Sequence, residues 1–207
     1  MAGGLAWGAA ALAYQRRVRD ACARCGRRAL PSRWTTPDAA ARWGRWAVAV
    51  AVVIPLLYAA TRWAWALGIQ LGITEEFLRE GQKTGLWIRG AALATMTIGG
   101  AVLTLGLVQR WGEVFPRWIP RLAGRRVPPR LAVIPAALVS VLVTTAGIMF
   151  VRLQTTGYLF TAFDFSEGNW ATIAPELLWP AWGIALAAAT LAYHYRRRGP
   201  CFTCGRA

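Results

Sequence analysis

The stretch AVAVAVVIPLLYAATRWAWALGIQL, residues 47–71, decides the fold of this chain. It is apolar almost throughout and contains a single charged side chain, Arg62. An α-helix needs about 20 predominantly apolar residues to cross the roughly 30 Å hydrocarbon core of a bilayer. The stretch therefore predicts a membrane-spanning helix, and the rest of the chain is interpreted around it.

Three further apolar runs follow, at residues 86–108, 131–151 and 177–195, and a shorter run opens the chain. Only 16% of the residues are charged, whereas a soluble domain usually has about 25%. These runs predict an all-α integral membrane helical bundle with four transmembrane helices and a short N-terminal one. The predicted divisions are a partial transmembrane helix (1–15), a basic loop with a Cys-x-x-Cys pair (16–46), the four-helix bundle (47–195) and a basic tail with a second pair (196–207).

The net charge of +15 is concentrated in three segments, residues 16–46, 109–130 and 196–207. If successive helices alternate in direction, these segments share one side of the membrane. The opposite side then carries the acids Glu75, Glu76, Glu80, Asp164, Glu167 and Glu176. Short loops rich in arginine and lysine stay in the cytoplasm, so the pattern predicts a cell-membrane protein with a cytoplasmic C-terminus. The basic charge then reflects topology and attraction to anionic lipids. We do not expect nucleic-acid binding, because no recognition motif accompanies the charge.

A repeat links the two termini of the chain. LAYQRRVRDACARCGR, residues 12–27, matches LAYHYRRRGPCFTCGR, residues 191–206, with the same spacing from tyrosine to the first cysteine. Both copies are expected to form the cytoplasmic end of a helix followed by a cysteine loop. Because only the end of the unit appears near Met1, the chain is expected to begin partway into a repeating unit.

The four cysteines of the chain all belong to this repeat: Cys22, Cys25, Cys201 and Cys204. Structural disulfides are disfavoured in a reducing compartment. Two Cys-x-x-Cys pairs supply the four thiolates of a tetrahedral structural zinc site. The leading prediction is therefore a cytoplasmic zinc clasp that joins the ends of one chain or joins two protomers of a homo-oligomer. A dithiol redox pair, an iron–sulfur cluster and unligated cysteines left from the repeat remain open alternatives.

Three arginines lie near the outer ends of the predicted helices: Arg62, Arg89 and Arg152. A charge within a membrane helix is costly unless it reaches the interface or pairs with another group. One interpretation is that they form ion pairs with outer acids at the membrane rim. The alternative is an outward cavity in which the three arginines bind an anionic group such as a lipid phosphate. Within the predicted helix at 86–108, Ala92, Thr95, Gly99 and Gly106 form a small-residue face suited to close packing.

The segments WGEVFPRWIPRLAGRRVPP (residues 111–129) and YAATRWAWALGI (residues 58–69), with the CxxCGR tail, resemble uncharacterised multi-pass membrane proteins of high-GC actinobacteria. The resemblance covers most of the chain from Trp46 onward. It implies a membrane location and no particular function. The leading functional hypothesis is a non-enzymatic membrane protein, structural or partner-binding at its cytoplasmic loops. The alternatives are a small-solute or lipid transporter using the outer arginines and a membrane thiol–disulfide oxidoreductase.

Overall fold

The computed structural model describes residues 2–28, 32–117, 119–120, 122–157 and 167–205. The regular structure of these residues is helical, apart from one antiparallel bridge between Val114 and Arg126. The predicted all-α class is therefore confirmed. The α-helices are α1 (Ala2–Val18), α2 (Pro37–Ala66), α3 (Glu75–Lys83), α4 (Leu86–Leu105), α5 (Pro129–Thr155), α6 (Ala174–Leu177) and α7 (Trp179–Arg197).

Helix α2 begins before the apolar run that predicts it. The side chain of Thr36 caps the helix by accepting from the backbone N–H of Ala39, and Pro37 occupies the first turn, where its missing N–H costs nothing. With 30 residues, α2 is about 45 Å long. It is therefore longer than a hydrocarbon core, and its basic first turns extend beyond the apolar part.

Within the described residues, three helices are long and apolar enough to cross a membrane: α2, α4 and α5. The fourth predicted run forms α7, which is less apolar because its sequence includes tryptophan, proline, tyrosine, histidine and arginine residues. The predicted N-terminal helix is present as α1 and extends to Val18, and Trp7 and Tyr14 on it are 79% and 72% exposed.

The long helices pack in the order α4, α2, α7, α5. Helix α2 contacts both α4 and α7, and α5 contacts α7. Glycines bring α7 close to its neighbours: a Cβ on Gly44 of α2 would meet Ala192, and one on Gly183 would overlap Thr144 of α5. In the part of the chain that the structure describes, α4 and α5 share no comparable contact. Helix α7 thus lies inside the row, with α4 and α5 at its edges.

The side of α4 that packs differs from the predicted small-residue face. Ala91, Ala94 and Ala101 are buried. Of the predicted face, Ala92, Thr95 and Gly99 are exposed, and Gly106, just past the end of α4, is buried. The buried positions lie next to the predicted ones in the sequence, so the packed face is rotated by roughly one residue, or about 100°. Composition alone could not distinguish the faces, because small residues occur on both.

Candidate metal centre

The two cysteine pairs meet at one end of the helical row. Cys22 and Cys25 lie in a turn after α1, and Cys201 and Cys204 lie in a turn after α7. The four Sγ atoms all lie within 4.8 Å of one another, and those of Cys25 and Cys204 are 3.6 Å apart. The structure thus joins residues 179 positions apart in the sequence.

The two turns have the same local geometry, as the repeat predicts. In the first, the backbone N–H of Gly26 donates to the carbonyl of Cys22 at 2.8 Å; in the second, that of Gly205 donates to Cys201 at 2.8 Å. Both glycines have left-handed backbone conformations, with φ of +69° and +67°. A side chain would strain this conformation, which is why each pair is followed by glycine.

Backbone donors favour the thiolate at the first cysteine of each turn. The N–H groups of Cys25 and Arg24 lower the pKa of Cys22. Those of Thr203 and Cys204 lower the pKa of Cys201 to about 6.

Cys25 behaves in the opposite way from Cys22 and Cys201. Desolvation, followed by weaker contributions from the neighbouring thiols, raises the pKa of Cys25 to about 11. Four thiolates this close repel one another, so full ionisation of the cluster requires a bound cation.

Two arginine hydrogen bonds and one aromatic contact join the basic loop at 16–46 to the C-terminal end of α7 and the tail. Arg27, which is buried, donates from Nη2 to the carbonyl of Gly199 at 2.7 Å. Arg198 donates to the carbonyl of Thr35 at 3.3 Å, and the ring of Trp34 packs edge-on against Tyr195. Sequence reasoning missed Arg27, although its place directly after Cys-x-x-Cys-Gly in the repeat was a usable signal.

The third basic segment reaches the same end of the row. Glu113 lies 3.5 Å from Arg196 and 3.8 Å from Arg197, measured between charged atoms. The hydroxyl of Tyr193 donates to the carbonyl of Gly112 at 2.8 Å. All three basic segments therefore meet here. We call this region, which comprises the described residues of 16–28, 106–128 and 193–205, the cysteine end.

The opposite end, residues 62–89 and 169–179, is called the acidic end. Here Arg62 is buried and forms an ion pair with Glu176. Its guanidinium also lies 4.6 Å from the ring centre of Tyr58 and 4.4 Å from that of Trp65, which are cation–π distances.

The structure does not gather all three outer arginines. Arg62 and Arg89 line one cavity at the acidic end, whereas Arg152 is exposed on α5 and does not line it. The two helices that carry Arg89 and Arg152 lie at opposite edges of the row. Binding of an anionic group by these arginines stays a prediction. Asp164 lies outside the described residues.

The geometry of the cysteine cluster suits a cation held by sulfur alone. Thiolates about 2.3 Å from a tetrahedral ion lie about 3.8 Å from one another, a spacing close to that of Cys25 and Cys204. A cleft beside the cluster is lined by cations, and their charge offsets that of four thiolates: Arg16, Arg24, Arg27 and Arg198. With all four ligands from the protein, such a site has no open position for a substrate.

Comparison with known proteins adds nothing to this geometry, since no protein-family model, curated protein or solved structure matches the chain. The functional interpretation therefore rests on the contacts of the chain itself. The contacts that bear on it are the cluster of Cys22, Cys25, Cys201 and Cys204 and the apolar helices that bring its halves together.

Proposed function

We propose that this chain is a multi-pass cell-membrane protein of structural or partner-binding, non-enzymatic role, whose ends are joined at the cytoplasmic face by a structural zinc ion. The observation that carries the proposal is the approach of four sulfurs to within 4.8 Å from the two ends of the chain. Zinc fits because it prefers four thiolates in a closed tetrahedron when its role is structural.

The membrane part of the proposal rests on which surfaces are apolar. The spanning windows of α4 and α5 are only 22% and 11% buried, so their leucine- and valine-rich surfaces need lipid or a partner to cover them. Helix α7 serves as a fourth span although it is less apolar. It lies between α2 and α5, and fewer of its residues are exposed than those of α4 or α5. Four spans, together with the positive-inside rule, put the cysteine end in the cytoplasm. Its exposed arginines then face anionic lipid headgroups or an acidic partner.

Elemental analysis of the purified protein tests the metal site. We expect about one zinc per chain in the wild type and nearly none in Cys201→Ser, because a structural zinc site needs all four ligands. Phe202→Ser is the matched control: Phe202 is fully exposed between the two cysteines, and its loss leaves all four thiols in place. Unchanged zinc in Cys201→Ser would refute the clasp. A metal-free wild type with a readily reduced disulfide would favour the redox alternative instead.

Reporter tags test the number of spans and their direction. Tags placed after Gly85, between α3 and α4, and after Ala207 should lie on opposite sides of the membrane if α7 spans. If only α2, α4 and α5 span, both tags fall on the same side. Two tags in one compartment would therefore overturn the fourth span and the cytoplasmic assignment of the cysteine end together.

A further inference from the structure

A cavity of approximately 1010 Å³ lies at the acidic end, far from the cysteines. Its walls come from α2, α3, α4 and the segment at 169–172. Small-molecule sites usually measure about 300–1,000 Å³, so the volume suits a ligand much larger than a simple anion. Aromatic rings and charged groups line it together, notably Trp65, Phe77, Glu76, Glu80 and Arg89.

The charges of the cavity are mixed and do not select a simple anion. Arg62 is already paired with Glu176, and it also donates to the carbonyl of Thr172 at 3.4 Å. The remaining cation is Arg89, and no ion pair of the described residues engages it.

Two carboxylates line the same cavity. Glu76 and Glu80 lie one helical turn apart on α3 and are both exposed, and Glu80 lies 4.0 Å from Lys83. A lone anion would meet these carboxylates and a lone cation would meet Arg89. A ligand that carries both charges is attracted to both walls.

An apolar surface continues from the cavity along α4. Leu86 and Leu93 line the cavity and are 46% and 53% exposed, and Met96 beyond them is 77% exposed. This surface is part of a helix that is long and apolar enough to span a membrane. A ligand bound by Arg89 could therefore extend an acyl chain down the side of α4 into lipid.

We propose that this cavity binds the headgroup of an amine-bearing zwitterionic phospholipid, with the phosphate at Arg89 and the ammonium at Glu76 and Glu80. The apolar surface of α4 selects a lipid over a soluble phosphoethanolamine of the same charge. The inference rests on the membrane-spanning part of the proposed function and is independent of the zinc site.

Native mass spectrometry in detergent tests this site with phosphatidylethanolamine, phosphatidylcholine and phosphatidylglycerol of identical acyl chains at equal concentration. We expect the wild type to retain the ethanolamine lipid roughly five- to tenfold more than the glycerol lipid, because charged hydrogen bonds to the amine are lost with glycerol. Glu76→Gln/Glu80→Gln should abolish that preference, and Arg89→Gln should reduce retention of all three lipids. Arg152→Gln is the matched control, because Arg152 is an exposed arginine near the C-terminal end of α5 that does not line the cavity. This variant should behave as wild type.

Several outcomes would overturn the site. They are a wild-type preference for phosphatidylglycerol, equal retention of phosphatidylcholine, and equal losses in Arg89→Gln and Arg152→Gln. Displacement of the lipid by an equal concentration of soluble phosphoethanolamine would assign the cavity to a soluble ligand. Helical content measured by circular dichroism shows that each variant is folded. Extraction of the protein with the membrane fraction, measured first, separates failure of this inference from failure of the membrane assignment.

Discussion

The cysteine end and the acidic end both join segments that are distant in the sequence, but they hold them by different interactions. At the acidic end, the segments are held by a cluster of buried hydrophobic side chains: Trp65, Ile73, Leu78, Trp87 and Ala171. At the cysteine end, no hydrophobic side chain that the structure describes in residues 2–28 is buried, and all four cysteines are only half-buried. The acidic end therefore has its own apolar core, whereas the N-terminal segment depends on sulfur and on arginine hydrogen bonds.

This difference indicates where a metal ion matters. Burial of large aromatic side chains such as Trp65 and Trp87 stabilises a contact without any ligand. A segment attached through four close thiols is different. Without a bound cation, ionised thiols repel one another and no longer hold the segment in place. Removal of metal should consequently release the N-terminal segment from the cysteine end and leave the acidic end intact.

The largest expected effect comes from chelating the metal. Structural zinc contributes an apparent 10–16 kcal/mol or so in small zinc domains, so its loss should free residues 19–28. Amide hydrogen exchange in this segment should accelerate at least about 100-fold, since local opening then costs little. Exchange over residues 73–87 should stay within about twofold, because that segment belongs to the buried cluster. Equal acceleration at both ends would contradict the comparison.

Replacement of Arg62 should have the next largest effect, and at the other end. Arg62→Met leaves Glu176 buried without its cation, which costs about 3–5 kcal/mol in comparable buried pairs. Denaturation in detergent measures the loss, and the double variant Arg62→Met/Glu176→Gln should recover much of it. Zinc content should equal that of the wild type. A single variant as stable as wild type would show that the ion pair does not support the acidic end.

Gly81→Ala tests the packing of α3 on α4. A Cβ at Gly81 would overlap the Trp87 ring, whose Nε1 donates to the carbonyl of Leu78 at 2.8 Å. Overpacking of this kind costs about 1–3 kcal/mol. Gly99→Ala is the control, since a Cβ there meets nothing within 4 Å, and it should leave stability unchanged or raise it by up to about 1 kcal/mol. Equal thermal midpoints for the two variants would argue against the contact.

The smallest expected effect concerns a turn glycine at the cysteine end. Gly205→Ala forces an alanine into φ of +67°, at a cost of about 1–2 kcal/mol. Competition with a chromophoric chelator should show zinc binding weakened by roughly 5- to 30-fold. Gly199→Ala, whose Cβ would meet nothing within 4 Å, should bind zinc as wild type does. Identical affinities in the two variants would mean that the turn geometry does not support the metal.

The cysteine end was more predictable from the sequence than the acidic end. The repeated Cys-x-x-Cys-Gly-Arg motif and the three basic segments predicted that the two cysteine pairs lie close together. In the structure, the Sγ atoms of Cys22, Cys25, Cys201 and Cys204 lie within 4.8 Å of one another. The prediction succeeded because each Cys-x-x-Cys-Gly motif forms its own turn and because α1 and α7 both end at the same end of the helical row. The zinc ion itself, the fourth span and the side of the membrane stay predictions.

The acidic end was less predictable because its contacts depend on helix rotation and neighbour order. The sequence identified Arg62 as a residue that needs a partner, but Glu176 was one of several acids that could have provided it. In the sequence, Arg89 and Arg152 occupy equivalent positions near the outer ends of their helices. In the structure, they lie at opposite edges of the row, because α4 and α5 do not pack against each other. Hydropathy predicted a transmembrane helix from each of the four apolar runs. Helix α7 differs from the others because it lies between α2 and α5 and therefore tolerates more polar residues.

The most direct test of the account is X-ray absorption spectroscopy at the zinc edge on a purified monomer, combined with zinc quantification. The account predicts about one zinc per chain with four sulfur neighbours at about 2.3 Å, one from each of Cys22, Cys25, Cys201 and Cys204. Two sulfurs with nitrogen or oxygen neighbours, or no bound zinc at all, would contradict the claim that one metal ion joins the two ends of this chain.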